Sequence, residues 1–337
     1  MSRFYWMNLC LLMLVSHLLP IGNVSHLMGA EPPVYAPGLK VEGKVAFTEG
    51  PAWHAASGSV YFTDIENNRI MKRTAEGVVE VFRTPSGKAN GLAFDKQGRL
   101  VACEGGNKRM TRTEADGSIT VLTDGYQSKA YNAPNDLAID PQGRIFFTDP
   151  RYGTREGMEI LDDQGRAVEG VYRIDTNGQV KMVIQHEVDR PNGIAVSADG
   201  KFLYVADNNN DAVGKNRCLW RFAFDAKGEI NLSSQKKLFD WEESRGPDGF
   251  SIGPDGKLYV TAGTNFPSAT ETNRYRSGVY VINHQKGGLE KFIAVPEDMI
   301  TNCTWGGEDG KTLFITAGHK LWSLSWEAIH ENQSFSR

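Results

Sequence analysis

Six oxygen-bearing side chains, Glu49, Asn90, Asn135, Asn192, Asp248 and Asn302, open six copies of one short pattern: a polar residue, often a glycine, then apolar residues. Carboxylate and amide oxygens are the donors that a hard cation takes, and calcium accepts about six to eight of them at flexible angles. Glu49 and Asp248 would balance the two charges of such an ion, and Asn135 and Asn192 would add neutral oxygens. Without a cation, two carboxylates brought together away from water would repel. Manganese and magnesium are alternatives. Zinc is a weaker one, because it prefers nitrogen and sulfur and only Cys303 stands beside the set. Each residue taken alone has a plainer explanation, since Asn or Asp before Gly commonly starts a turn. The common phase of all six argues for a site.

That phase has to be created by a repeating fold. Each polar start is followed by a turn containing glycine (Gly58, Gly98, Gly143, Gly200, Gly256 and Gly310) and then by a strand rich in β-branched and aromatic residues, such as Val60-Tyr61-Phe62-Thr63 or Leu258-Tyr259-Val260-Thr261. Glycine supplies the positive φ of a tight hairpin. The starts are separated by 41, 45, 57, 56 and 54 residues, the length of a four-stranded blade. Long amphipathic helical patterns do not occur. The expected fold is therefore all-β, a six-bladed β-propeller with four-stranded antiparallel blades around a central channel. A pair of β-sandwiches would not explain six copies of one hairpin. Closure requires residues 41–47 to pair with residues 320–324. In a propeller the innermost strands line the channel, so equivalent polar starts converge at its mouth.

The remaining features bound what such a site can serve. The chain has 337 residues, 40% of them apolar, with a formal net charge of −4 and no basic stripe interleaved with aromatics, which argues against nucleic acid as a partner. Small molecules are the expected partners. Residues 1–30 hold Arg3, no acid and the apolar run 9–15, too short to span a membrane. With Gly29-Ala30 before Glu31-Pro32-Pro33, they are expected to form a signal peptide preceding a propeller over residues 31–337. This start predicts export to the periplasm or the medium, with no membrane association after cleavage. Cys103, Cys218 and Cys303 would remain, an odd and widely spaced set that reads as buried hydrophobes rather than a disulfide framework.

In order and spacing, several segments resemble the SMP-30/gluconolactonase family of calcium-dependent six-bladed propellers. These are residues 48–53 (TEGPAW), 89–92 (ANGL), 132–137 (NAPNDL), 147–153 (FTDPRYG), 190–194 (RPNGI), 246–249 (GPDG) and 301–304 (TNCT), and the similarity covers about residues 40–325. The bacterial gluconolactonase branch is the nearest in flavour. The resemblance implies a metal held by Glu49, Asn192 and Asp248, with Asn135 as a fourth ligand or a substrate-binding amide, and it favours Asp248 as general base. The chain departs from that pattern at Gly105-Gly106, where many bacterial members have His-Gly, and at Ala133, where animal members have an arginine.

The chemistry expected of this set is hydrolysis of a sugar lactone. The ion would act as a Lewis acid on the carbonyl, and Asp248 would position or deprotonate the attacking water. A carboxylate bound to a dication is a poor base, so acidification of the water by the ion is the alternative. Asn90, Asn107, Arg109 and Tyr152 are candidates for contacts to substrate hydroxyls. Asp64, Glu104, Asp149 and Asp207, at equivalent strand ends, read as structural. Residues 207–218 do not fit a helix-loop-helix calcium loop, having Ala212 and Cys218 where Gly and Glu are needed. The sequence carries no Gly-x-Ser-x-Gly elbow, no His-Glu-x-x-His and no phosphate loop. The rival readings are an esterase or phosphotriesterase on the same metal, or a propeller that binds a ligand without catalysis.

Overall fold

Period-two patterning with Gly-containing turns leaves the chain little choice but to form strands, and the computed structural model, which describes residues 35–331, is almost entirely β. The expected signal peptide, residues 1–30, lies outside the described residues. Six four-stranded antiparallel sheets form. Five are consecutive meanders, spanning residues 48–83, 89–123, 137–184, 191–240 and 250–294. The sixth takes three strands from residues 300–325 and its outermost strand, Lys40–Lys44, from the start of the fold. Lys40 faces Ser323 and Lys44 faces Lys320 in that pairing. The closure is the expected one, with a shorter strand: residues 45–47 have left it and cross toward the first blade.

The apolar clusters show why the ring holds together. Among the described residues there are six, one in each cleft between neighbouring blades. Ala52, Tyr61 and Ile70 of the first blade meet Leu92 and Leu100 of the second. The last cleft joins Val60, Phe62 and Met71 to Phe314 and Leu321, which closes the circle. The second strand of each blade is sandwiched on both faces, so it reads as a continuous apolar run; Leu100–Glu104 and Leu258–Ala262 are buried throughout. Outer strands such as Val79–Arg83 and Ile119–Thr123 mix polar and apolar residues and are partly exposed. Cys103 and Cys303 sit in two of the clefts as small hydrophobes, and all three cysteines described are free and buried.

The innermost strands carry a recurring irregularity at the polar starts. Pairing with the second strand slips between Glu49 and Ala52, Ala89 and Leu92, Pro191 and Ile194, and Ile300 and Asn302. In the third and fifth blades the inner strands, Leu137–Ile139 and Phe250–Ile252, begin just after the equivalent point. A bulge leaves residues unpaired and re-aims their side chains. The glycine that follows serves a close approach between blades. The N–H groups of Gly91, Gly193 and Gly249 donate to Asn135, Asp248 and Thr301 carbonyls of the next inner strand, at 2.7, 3.1 and 2.5 Å. A Cβ on Gly91 or Gly193 would collide with that neighbouring backbone.

Candidate metal and substrate site in the channel

Strand pairing sets which residues share a level. Glu49 lies opposite Thr63, and the slips align Asn90, Asn135, Asn192 and Asp248 with it. In the sixth blade Ile300 pairs with Ala317, so Thr301 holds the equivalent position and Asn302 stands one residue further on. Asn302 is therefore out of phase with the other five, a correction to the six-residue ring expected from sequence. The Thr301 hydroxyl is turned into the wall, donating to the Thr48 carbonyl at 3.0 Å.

The level one residue along is glycine in four blades, Asp136 in the third and Asn302 in the sixth. The Asn302 amide donates to Asp136 Oδ2 at 3.2 Å. Blades three and six face each other across a six-membered ring, so this bond spans the channel. Asp136 was missed by the sequence reading; its signal was a carboxylate standing where four other repeats have glycine.

Three of the strand-end acids hold the polar ring in place. Asp64 accepts from the N–H groups of Ala46 and Phe47, Asp149 from Asn132 and Ala133, and Asp207 from Asp189 and Arg190, at 2.8–3.2 Å. In each case the donors lie three and two residues before a ring residue, respectively Glu49, Asn135 and Asn192. The acids are structural, as expected, and what they fix is the approach of the chain to the site. Glu104 at the equivalent place binds Arg83, Asn107, Arg109 and Thr111 instead. Asn107 and Arg109 are thus drawn onto Glu104, at 2.7 and 2.8 Å.

The electrostatics of the channel are those of an under-neutralised anion site. Glu49, Asp136 and Asp248 are all buried. Desolvation pushes the Glu49 carboxyl well above its usual range, and the nearby Asp248 and Asp136 carboxylates push it further. Burial brings Asp136 up to about 7. Asp248 is also raised by burial, against the pull of Arg245, whose Nη2 donates to Asp248 Oδ2 at 2.8 Å. Arg245 is a second residue missed from sequence, where nothing marks it as buried. Fully ionised, the three carboxylates and one guanidinium would carry two net negative charges, which a divalent cation would offset and so allow the carboxylates to ionise. Among the described residues no three His, Cys, Asp or Glu side chains group closely enough to hold a metal, so amide oxygens must complete any coordination. The residues present supply them: Asn135 and Asn192 are buried at the same level as Glu49 and Asp248. The donors are all oxygen, and they fit a hard cation of the calcium type.

Asn192 has the most elaborate support. Its amide nitrogen donates to the Tyr152 hydroxyl at 2.6 Å and also bonds the Asp248 carboxylate, so its carbonyl oxygen is the atom it can offer a cation. Arg190 lies over the Tyr152 ring, 5.1 Å from its centroid, and is itself fully buried between Glu169 and Asp211. If Asn192 offers its carbonyl to a divalent cation, Tyr152→Phe is expected to weaken binding of that cation about tenfold, the typical cost of losing an outer-shell partner, with the fold intact. Calorimetric titration with calcium checks this; unchanged affinity would mean that the hydroxyl does not orient Asn192.

An oxygen-lined channel at the hub of a six-bladed propeller defines the class. Residues 47–319 match the model of the SMP-30/gluconolactonase/LRE-like region, and the chain belongs to that family. It is 27% identical over 300 residues to a gluconolactonase of Zymomonas mobilis, covering 83% of this chain and 79% of that protein. Regucalcin of Oryctolagus cuniculus is 27% identical over 271 residues, covering 80% of this chain and 82% of that one. Among solved structures, the gluconolactonase XC5397 of Xanthomonas campestris superimposes with a TM-score of 0.70 at 31% identity, covering 85% of this chain and 89% of the other.

Proposed function

We propose that this protein is a lactonase that hydrolyses sugar lactones at the channel mouth, with a divalent cation, best matched by calcium, held by Glu49, Asn192 and Asp248 and with Asn135 beside it. One observation carries the reading: buried carboxylates from three different blades share a single neighbourhood with, among the described residues, one arginine, Arg245, beside them. Relatives that are gluconolactonases support the substrate class.

When bound, the cation supplies Lewis-acid polarisation of the ester carbonyl. The chain's own residues bind and orient. Asp248 is held by Arg245 on Oδ2 and by the Asn192 amide, an orientation from which its carboxylate can align a water with the carbonyl carbon. Asn90 and Asn135 present amides at the same level of the channel, suited to sugar hydroxyls. Tyr152, whose ring is partly exposed, holds the buried Asn192 in place on that side through its hydroxyl.

Purified protein is expected to open aldonolactones, to lose that activity with a chelator and to regain it with calcium, with aryl esters and phosphotriesters turned over far more slowly. A pH-stat assay over this substrate set checks it. Chelator-insensitive lactone opening would remove the metal from the reading, and no lactone opening at all would remove the reading itself.

A further inference from the structure

Three arginines are deeply buried around the channel mouth, and they are not alike. Arg190 is saturated by Glu169 and Asp211. Arg217 is wrapped by the carbonyls of Asn209, Ala212, Glu243, Ser244 and Thr270. Arg245 has one oxygen of Asp248, at 2.8 Å, and for Nη1 only the sulfur of Met299, at 2.9 Å. Its Nε–H is buried and has no hydrogen-bond partner. The side chain is 9% exposed.

A guanidinium carries five N–H donors, and leaving buried donors unmade costs more than a typical hydrogen bond returns. The two saturated arginines show that this fold can wrap a buried guanidinium when nothing else is to be bound there. The unsatisfied one is the arginine in contact with a residue of the cation site. Resting on the lactonase reading, the reaction itself makes the missing partner. Water adds to the carbonyl carbon, the bond from that carbon to the ring oxygen breaks, and the ring oxygen leaves with a proton as a hydroxyl. The acid formed gives its proton to solvent, so a neutral ester becomes a carboxylate. We propose that Arg245 is the anion-binding residue of the site: its free donors receive the oxygen on which charge develops and then the carboxylate of the opened sugar acid.

Three assignments follow. Asp248, held on one side by Arg245, is an orienting group rather than a freely moving base. The enzyme binds its sugar-acid product through a charge-assisted contact, stronger than any contact to the neutral lactone. Turnover, more than lactone binding, depends on Arg245.

The test is calorimetric binding of D-gluconate to the calcium-loaded full chain, comparing the native protein with Arg245→Gln and Arg245→Lys, alongside kcat and KM for gluconolactone and calcium content by elemental analysis. Arg245→Gln is expected to weaken gluconate binding at least about tenfold and to lower kcat about 100-fold, with KM changed less than about threefold and calcium retained. Arg245→Lys keeps the charge but loses the fork, and is expected to fall between. Gluconate affinity equal to the native value in either variant would overturn the proposal. So would a weakening that merely tracks loss of calcium, since Arg245 would then only prop Asp248. If the glutamine variant does not fold, the lysine variant decides by the same criterion. Arg245-dependent gluconate binding in a protein that opens no lactone would sink the lactonase reading and leave the anion site standing.

Discussion

Replacing Glu49 by Gln is expected to lower lactone turnover about 1,000-fold while making the calcium-free protein more heat-stable than the native chain. The two effects have one origin. Glu49 is buried with Asp248 and Asp136 in its field, and its carboxyl is held well above the ordinary range. A carboxyl raised in the folded state favours the protonated form. The native fold is therefore most stable below the ordinary Glu value and loses stability as pH rises toward the raised one. Glutamine keeps the oxygen that accepts the Gly50 N–H, at 2.8 Å, and removes the charge, so this slope should disappear in chelator. With calcium present the order reverses. A ligand at about 100 times its dissociation constant adds about 2.7 kcal/mol to the native protein, and the variant forgoes most of that. Asp248→Asn should abolish turnover equally but behave oppositely without calcium, because it strands Arg245; losing one partner of a buried pair costs about 3–5 kcal/mol. Thermal melts of both variants with calcium and with chelator give four comparisons. A Glu49→Gln protein less stable than native in chelator would show that the carboxylates do not repel, and the case for a resident cation would lose its physical basis.

The repeat was legible because each blade needs the same punctuation: a glycine at the hairpin and a run of β-branched and aromatic residues for the strand buried on both faces. Closure was legible for the same reason, since one edge had to be supplied from the other end of the fold. The phase of the sixth repeat was not. In Thr301-Asn302 the asparagine looks like the ring residue, and only the pairing of Ile300 with Ala317 shows that the threonine holds that level. Asp136 and Arg245 were missed for different reasons. Asp136 could have been found, as a carboxylate replacing glycine in an otherwise regular column. Arg245 lies in the loop before the fifth inner strand, and its burial against Asp248 comes from the ring as a whole rather than from any local pattern. Asn107 and Arg109 have suitable chemistry but sit beside Glu104, whose carboxylate claims them.

Gly50→Ala is expected to be the most damaging single methyl that can be added at the hub. Gly50 has a φ of +45°, and a Cβ there would run into the backbone of Asn90 and Gly91 in the next blade. Both penalties apply together: about 1–2 kcal/mol for a left-handed residue with a side chain and about 1–3 kcal/mol for overpacking against atoms that cannot rotate away. Gly117 is the control. It too has a positive φ, of 84°, but a Cβ there meets nothing within 4 Å, so Gly117→Ala pays the backbone penalty alone. Midpoints of denaturant unfolding should therefore fall clearly further for Gly50→Ala than for Gly117→Ala. The displaced blade also carries function. Gly50 N–H anchors Glu49 Oε2, and the carbonyl of Asn90 accepts from Thr63 at 3.1 Å, so pushing the strands apart moves two ring residues at once. Calcium affinity should drop with Gly50→Ala and hold with Gly117→Ala. Equal stability of the two variants would mean that the inner strands are not in the close contact that brings Glu49 into the channel, and the convergence of the ring would need another cause.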